Sequence, residues 1–356
     1  MINYFIVLII LFIPYSLIAQ NGIAFVSDRQ ERGNYDIYYM PDIAQPRNVI
    51  RLTTNAKIDN HPDIFWGVSS DPQTKMVWSS DKTGNFQLYL YTGNLLDPNL
   101  ESNSLQITSG DFPHRHPHFS HDGKRIVFDA KCREVILRDT IIPSECSIPV
   151  KIIEKHRRFE ALCVYNLITQ ELDTFDIADA DANIPKIWPS KDEDSSSFKT
   201  WVGHPSFSPD NKRILFSAAK DPDGSDWEVY SVAFDTTSNS ISDLKQHTFG
   251  TVYPANTNPI QMSGGAHYSH DGKNILYTST RTPLGNSLLF RISSTAKNEP
   301  IHPINQLTFH NANDYVPEEM EDGKIILTTD LGPSICDPDE NYGPSMDLDL
   351  VIHDLT

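Results

Sequence analysis

One short apolar segment recurs six times along the chain, and this recurrence limits the fold more than any other feature. The copies are Ile23-Ala-Phe-Val-Ser-Asp-Arg29, Met76-Val-Trp-Ser-Ser-Asp-Lys82, Ile126-Val-Phe-Asp-Ala-Lys131, Ile214-Leu-Phe-Ser-Ala-Ala-Lys220, Ile275-Leu-Tyr-Thr-Ser-Thr-Arg281 and Ile325-Ile-Leu-Thr-Thr-Asp330. Their starts are 53, 50, 88, 61 and 50 residues apart. A spacing near fifty suits a four-stranded unit, and insertions around residues 131–160 and 179–200 account for the long interval.

Each copy has the same neighbours. After it comes a strand rich in aromatic and β-branched residues, such as Tyr35–Met40, Phe86–Tyr91, Ala161–Leu167, Trp227–Val232, Ser287–Ile292 and Leu348–Leu355. Before it stands a tight-turn signal, in Ser120-His-Asp-Gly-Lys124, Ser208-Pro-Asp-Asn-Lys212, Ser269-His-Asp-Gly-Lys273 and Asp322-Gly-Lys324. There Asp bonds its own turn backbone, and Gly or Asn accepts a positive φ. A further strand recurs as Ile50–Thr54, Leu105–Ser109, Gln246–Phe249 and Gln306–Phe309. The pattern predicts an all-β protein, a six-bladed β-propeller, with blades over about 23–55, 56–110, 111–180, 200–250, 257–310 and 313–355. Blade one is expected to lack its inner strand and blade six its outer one.

FSHDGKRIVF, FSPDNKRILFSA with WEVY after it, and YSHDGKNILYTSTR resemble the WD40-like, or PD40, repeats of the TolB-like β-propeller family over residues 23–355. The resemblance implies the fold and leaves function open, because propellers host unrelated activities. TolB itself also has an N-terminal α/β domain, and here 22 residues precede the first repeat.

The apolar run Phe5–Ala19 lies ahead of polar Gln20-Asn21-Gly22 and reads as a signal peptide, residues 1–19, followed by a single domain over 20–356. A periplasmic or secreted location is expected, with no membrane span after cleavage. Export permits disulfides, and Cys132 and Cys146, close together in one insertion, are the candidate pair. Cys163 reads as a free thiol in a core strand. With 47 acidic against 29 basic residues and a net charge of −18, the surface repels a phosphate backbone, so nucleic acid is not an expected partner.

Repetition places equivalent residues around one axis, and histidine recurs in this way. His61, His116 and His204 each precede a proline at the innermost strand of blades two, three and four, with Gly265 and Val316 at the matching places in blades five and six. Three imidazoles at a funnel mouth suit a divalent metal such as Zn²⁺ or Mn²⁺. His-Pro as a structural part of the repeat, and ligand contact without metal, are the other readings. His114 and His118 are expected on the same strand face as His116 by alternation. Tyr315 is expected at the mouth or in the core.

Metal-dependent oligogalacturonate lyases resemble this repeat family too. That likeness implies a His and Gln ligand set, with Gln261 as a fourth ligand and a histidine removing the proton α to a uronate carboxylate. No G-x-S-x-G, HExxH, G-x-G-x-x-G or P-loop motif is present, and the acidic runs 221–226 and 337–341 lack EF-hand spacing. The expected function is a non-enzymatic binding or scaffold protein, a monomer whose funnel holds a peptide, protein segment or glycan. The metal-dependent lyase or hydrolase is the alternative.

Overall fold

The computed structural model describes residues 22–141, 151–175, 201–219, 226–250, 261–300, 302–320, 322–329 and 349–353. Both the apolar N-terminal run and Cys146 lie outside the described residues, as do the Cys132 side chain and Cys336. No helix among the described residues is long and apolar enough to cross a membrane.

The chain is all-β, and its antiparallel strands follow one another in repeat order. The first sheet is β1 (Ile23–Ser27), β2 (Asp36–Met40) and β3 (Ile50–Arg51). The second is β4 (Asp59–Phe65), β5 (Lys75–Ser80), β6 (Gln87–Thr92) and β7 (Leu105–Gln106). The third is β8 (His114–Phe119), β9 (Arg125–Ile141), β10 (Lys151–Asn166) and β11 (Leu172–Phe175). The fourth repeat supplies β12 (Trp201–Phe207), β13 (Arg213–Ala219), β14 (Asp226–Asp235), β15 (Ser240–Gln246) and β16 (Thr248–Phe249). The fifth supplies β17 (Gln261–Tyr268), β18 (Asn274–Ser279), β19 (Leu288–Ser293) and β20 (Glu299–Pro300). The last sheet is β21 (Asp314–Glu319), β22 (Ile325–Thr329) and β23 (Asp349–His353).

Two details differ from the expected six separate sheets. A parallel pairing of Asp226 with Gln261 and Trp227 with Met262 welds the fourth and fifth repeats into one seven-stranded sheet, and β16 pairs with β20 alone. The insertion at 131–160 is largely strand, prolonging the β9–β10 hairpin out to the Ile141–Lys151 pair. The described residues do not close a ring: the first sheet has no strand inside β1, and the last none outside β23.

The recurring segments form the second strand of each unit because they are apolar on both faces. Successive sheets stack face to face, and core clusters alternate with the sheets. Met76 and Trp78 pack with Ile37 and Tyr39 of the first sheet, while Val77 and Leu88 pack with Phe119, Ile126 and Phe128 of the third. Val127 and Leu162 meet Phe207 and Phe216, and Leu215 and Val229 meet Ile275 and Phe290. Leu276 and Leu289 meet Ile325 and Leu327. Cys163 is buried in this core, its Sγ 3.7 Å from Thr174 Oγ1. β5 is buried along its whole length, whereas the equivalent β1 is half-buried throughout, as expected where no inner strand covers it.

The turn chemistry takes the expected form. Ser120, Ser208 and Ser269 hydroxyls donate to Asp122, Asp210 and Asp271 at 2.6, 2.7 and 2.8 Å, and those carboxylates accept the N–H of Lys124, Lys212 and Lys273. The outer strands are shorter than their sequence pattern suggests, because a threonine hydroxyl replaces part of the ladder. Thr53, Thr108, Thr248 and Thr308 Oγ1 accept from the N–H of Ile37, Leu88, Val229 and Leu289 at 2.8–2.9 Å.

Gly123 combines φ +65° with a Cβ direction that runs into the Phe65 ring, and its carbonyl accepts from Lys75 Nζ at 2.9 Å. Gly123→Ala is therefore expected to cost at least about 1 kcal/mol through backbone strain and overpacking, measurable as a lower urea midpoint.

Candidate functional site

The innermost strands β4, β8, β12, β17 and β21 lie side by side in that order. Each carries a register shift at the same place: between Asn60 and Asp63, Arg115 and His118, Gly203 and Ser206, Gly264 and His267, and Tyr315 and Glu318. The residue inside each bulge has positive φ: His61 at 52°, His116 at 49°, His204 at 51°, Gly265 at 58° and Val316 at 42°. The histidines thus sit within their strands rather than at strand openings, and the bulge re-aims their side chains.

The three imidazoles meet. Ring centroids of His61 and His116 are 4.0 Å apart, those of His116 and His204 3.8 Å, and those of His61 and His204 6.2 Å. The arc is one-sided, because Gly265 and Val316 fill the remaining places; a Cβ on Gly265 would lie 3.3 Å from the Val316 nitrogen. The rings pack on one another, and among the described residues no group of three His, Cys, Asp or Glu side chains is placed to hold a metal ion.

The bulge also breaks the alternation expected for β8. His114 points into the core, 8% exposed, with its ring 5.5 Å from Phe128, and so stands apart from His116. His118 enters a second tier two residues further along. There its Nδ1 is 3.7 Å from Asp63 Oδ2, and its ring centroid is 4.8 Å from that of His267, across the intervening β12. Glu318 is the corresponding residue of β21 and Ser206 that of β12. Tyr315 is half-buried just before the last bulge, and its carbonyl accepts from Thr328 Oγ1 at 3.4 Å. Gln261 begins β17, and its side chain lies outside the described residues.

Asp129, on β9, ties the upper tier together: it contacts His116 Nδ1 at 2.6 Å and accepts the backbone N–H of His204. Burial pushes its carboxyl up to about 7. Asp63 accepts the N–H of Phe119 at 2.7 Å, fastening β4 to β8, and burial raises it to about 6. Glu318 is raised to about 7 by desolvation first and Asp63 second. Desolvation brings His118, His204 and His267 down to about 3 and holds His61 well below its ordinary value. The His116 and His118 side chains keep 17% and 21% exposure, so these neutral imidazoles retain some contact with solvent.

Sequence reasoning missed Asp63, Asp129, His267 and Glu318. For Asp63, His267 and Glu318 the signal existed in the column two places after each bulge residue, which reads Asp63, His118, Ser206, His267, Glu318.

No protein-family model matches the chain, and no curated protein matches it. Among solved structures, TolB from Acinetobacter baumannii aligns at 16% identity with a TM-score of 0.51, over 87% of this chain and 60% of that one. A putative TolB from Agrobacterium tumefaciens aligns at 14% identity, TM-score 0.48, over 87% and 82%. Porphyromonas gingivalis dipeptidyl peptidase 4 aligns at 10% identity, TM-score 0.41, over 87% and 41%. This chain spans 60% of the length of the Acinetobacter TolB chain, and at 16% identity what the two share is the fold.

Proposed function

We propose that the chain is an exported six-bladed propeller of TolB-like type that works as a monomeric, non-enzymatic platform, its central funnel holding a peptide, protein segment or glycan. One observation carries this reading: bulges at one position of successive inner strands bring His61, His116 and His204, from three distant stretches of chain, within 6.2 Å of one another. Neutral imidazoles offer both a donor and an acceptor, which suits hydrogen bonding to a backbone amide or a hydroxyl. The stiff stacked sheets hold these groups before a ligand arrives, which limits the ordering cost of binding.

The test is a screen of the purified chain against peptide and glycan arrays, with hits measured by calorimetry. His116→Ala and His204→Ala are expected to weaken a hit about tenfold, the loss of roughly one well-made hydrogen bond each. Binding untouched by either substitution would place the ligand elsewhere. Release of unsaturated products from a uronate polysaccharide with added Mn²⁺ or Zn²⁺ would replace the platform by a lyase.

A further inference from the structure

The lower tier of the site is rich in acceptors, and among the described residues the titratable group facing Asp63 from outside it is His121, whose pKa desolvation lowers. Its members are Asp63 on β4, His118 on β8, Ser206 on β12, His267 on β17 and Glu318 on β21. The five inner strands contain one basic residue, Arg115, whose guanidinium turns away to lie 4.8 Å from the centre of the Phe86 ring. One nitrogen of the tier lacks a hydrogen-bond partner among the described residues: His267 Nε2 is buried in a residue only 7% exposed and makes none, while the Glu318 carboxylate at the matching place of the neighbouring strand is exposed. A native structure that leaves a buried imidazole nitrogen unpaired has a group missing from its account.

We infer that this tier receives one positively charged group of a ligand, a primary ammonium or a guanidinium, seated among Glu318, Asp63, His118 and His267. The inference rests on the funnel reading above and adds the charge of what enters. An ammonium carries three donors and a guanidinium five, matching two carboxyls and the one lone pair that each of two neutral imidazoles offers. The neutral state of the imidazoles belongs to this fit: desolvation holds His118 and His267 unprotonated, with His61, His116 and His204 above them likewise, so they do not repel a cation. Asp63 adds to the cost of ionising Glu318, and a cation between them removes that cost. The net charge of −18 draws a basic ligand toward the surface. A divalent metal shares the positive charge but needs ligands gathered at about 2 Å, and the described side chains offer no such group of three.

The test uses the full chain labelled with ¹⁵N-histidine, titrated with n-butylammonium, n-butylguanidinium, neutral n-pentanol and, separately, Zn²⁺ alone. Saturable shifts at the His118 and His267 imidazoles are expected with the two organic cations and not with pentanol. Glu318→Gln should weaken the titration about tenfold with an unchanged melting curve, whereas Glu299→Gln, which removes the same charge from exposed β20, should leave it as it is. Equal weakening in both variants, shifts with pentanol, or a response to Zn²⁺ alone would overturn the inference. The two readings fail separately. Array hits with no preference for Lys or Arg would overturn the cation site and leave the funnel. Ammonium binding with no peptide or glycan hit would do the reverse.

Discussion

Lowering the pH from 7 to 5 is expected to lower the melting temperature by of the order of 5–10 °C, the scale set by a few kcal/mol in a chain of this size. The cause is a set of imidazoles that folding takes out of water. His116, His118, His204, His247 and His267 fall to about 3, His61 falls well below its ordinary value, and His114 and His121 are lowered too, in each case by desolvation first. Their folded pKa lies below the unfolded one, so below about 6.5 the unfolded chain binds protons that the folded chain refuses. Stability therefore falls as pH falls, by about 2 kcal/mol at pH 5 for each fully shifted histidine. Carboxyls pull the other way. Asp59 and Asp63 are raised to about 6, Asp129 and Glu318 to about 7, and Asp36 is raised as well. A raised acid costs stability as pH rises through the window from about 4 to 7, so acidification relieves that cost. The imidazoles are more numerous, and solvent screening discounts the exposed Glu318, so the histidine sign prevails. Calorimetry at pH 7 and pH 5, at one ionic strength, measures it. A melting temperature that rises on acidification would show the carboxyls in command.

These groups mark how far the sequence could be read. The repeat gave the strands and the Asp-Gly and Asp-Asn turns, because each depends on local chemistry within a few residues. Alternation along β8 was a sound local rule that misplaced His114. The inserted residue at His116, with φ 49°, shifts the pleat, and a bulge cannot be foreseen from a strand that carries no glycine. Asp129 was hidden for another reason. It belongs to a second strand that reads as pure core, and its role appears only when β9 is laid beside β8 and β12. The tier of Asp63, His118, His267 and Glu318 was readable as an aligned column. The insertion at 131–160 gave no sign of the length of its hairpin, because charged residues interrupt its apolar ones.

Arg281→Ala is expected to destabilise the chain by about 3–5 kcal/mol, the usual result of leaving a buried charge without its partner. Arg281 ends the recurring segment of the fifth repeat and is fully buried between β14 and β17, at the parallel weld. Its Nη1 donates to Ser263 Oγ at 2.7 Å and to the Trp227 carbonyl at 3.2 Å, and its Nη2 reaches Glu228 Oε1 at 3.1 Å as well as the Asp226 carboxylate. Glu228 is 1% exposed, so water cannot replace the guanidinium once it is gone. Arg281→Met with Glu228→Gln should recover most of the loss, since the amide oxygen still accepts from Thr248 Oγ1 and the methionine fills the space. Urea unfolding of Arg281→Met, of Glu228→Gln and of the pair, read as a double-mutant cycle, measures the coupling. An Arg281→Ala midpoint within about 0.5 kcal/mol of the parent, the range of an ordinary surface change, would show that the network does not hold the weld. β17, paired at the weld, also carries His267, whose ring meets that of His118. The same substitution is therefore expected to weaken the histidine-detected cation titration well below its unfolding midpoint, through displacement of β17 alone.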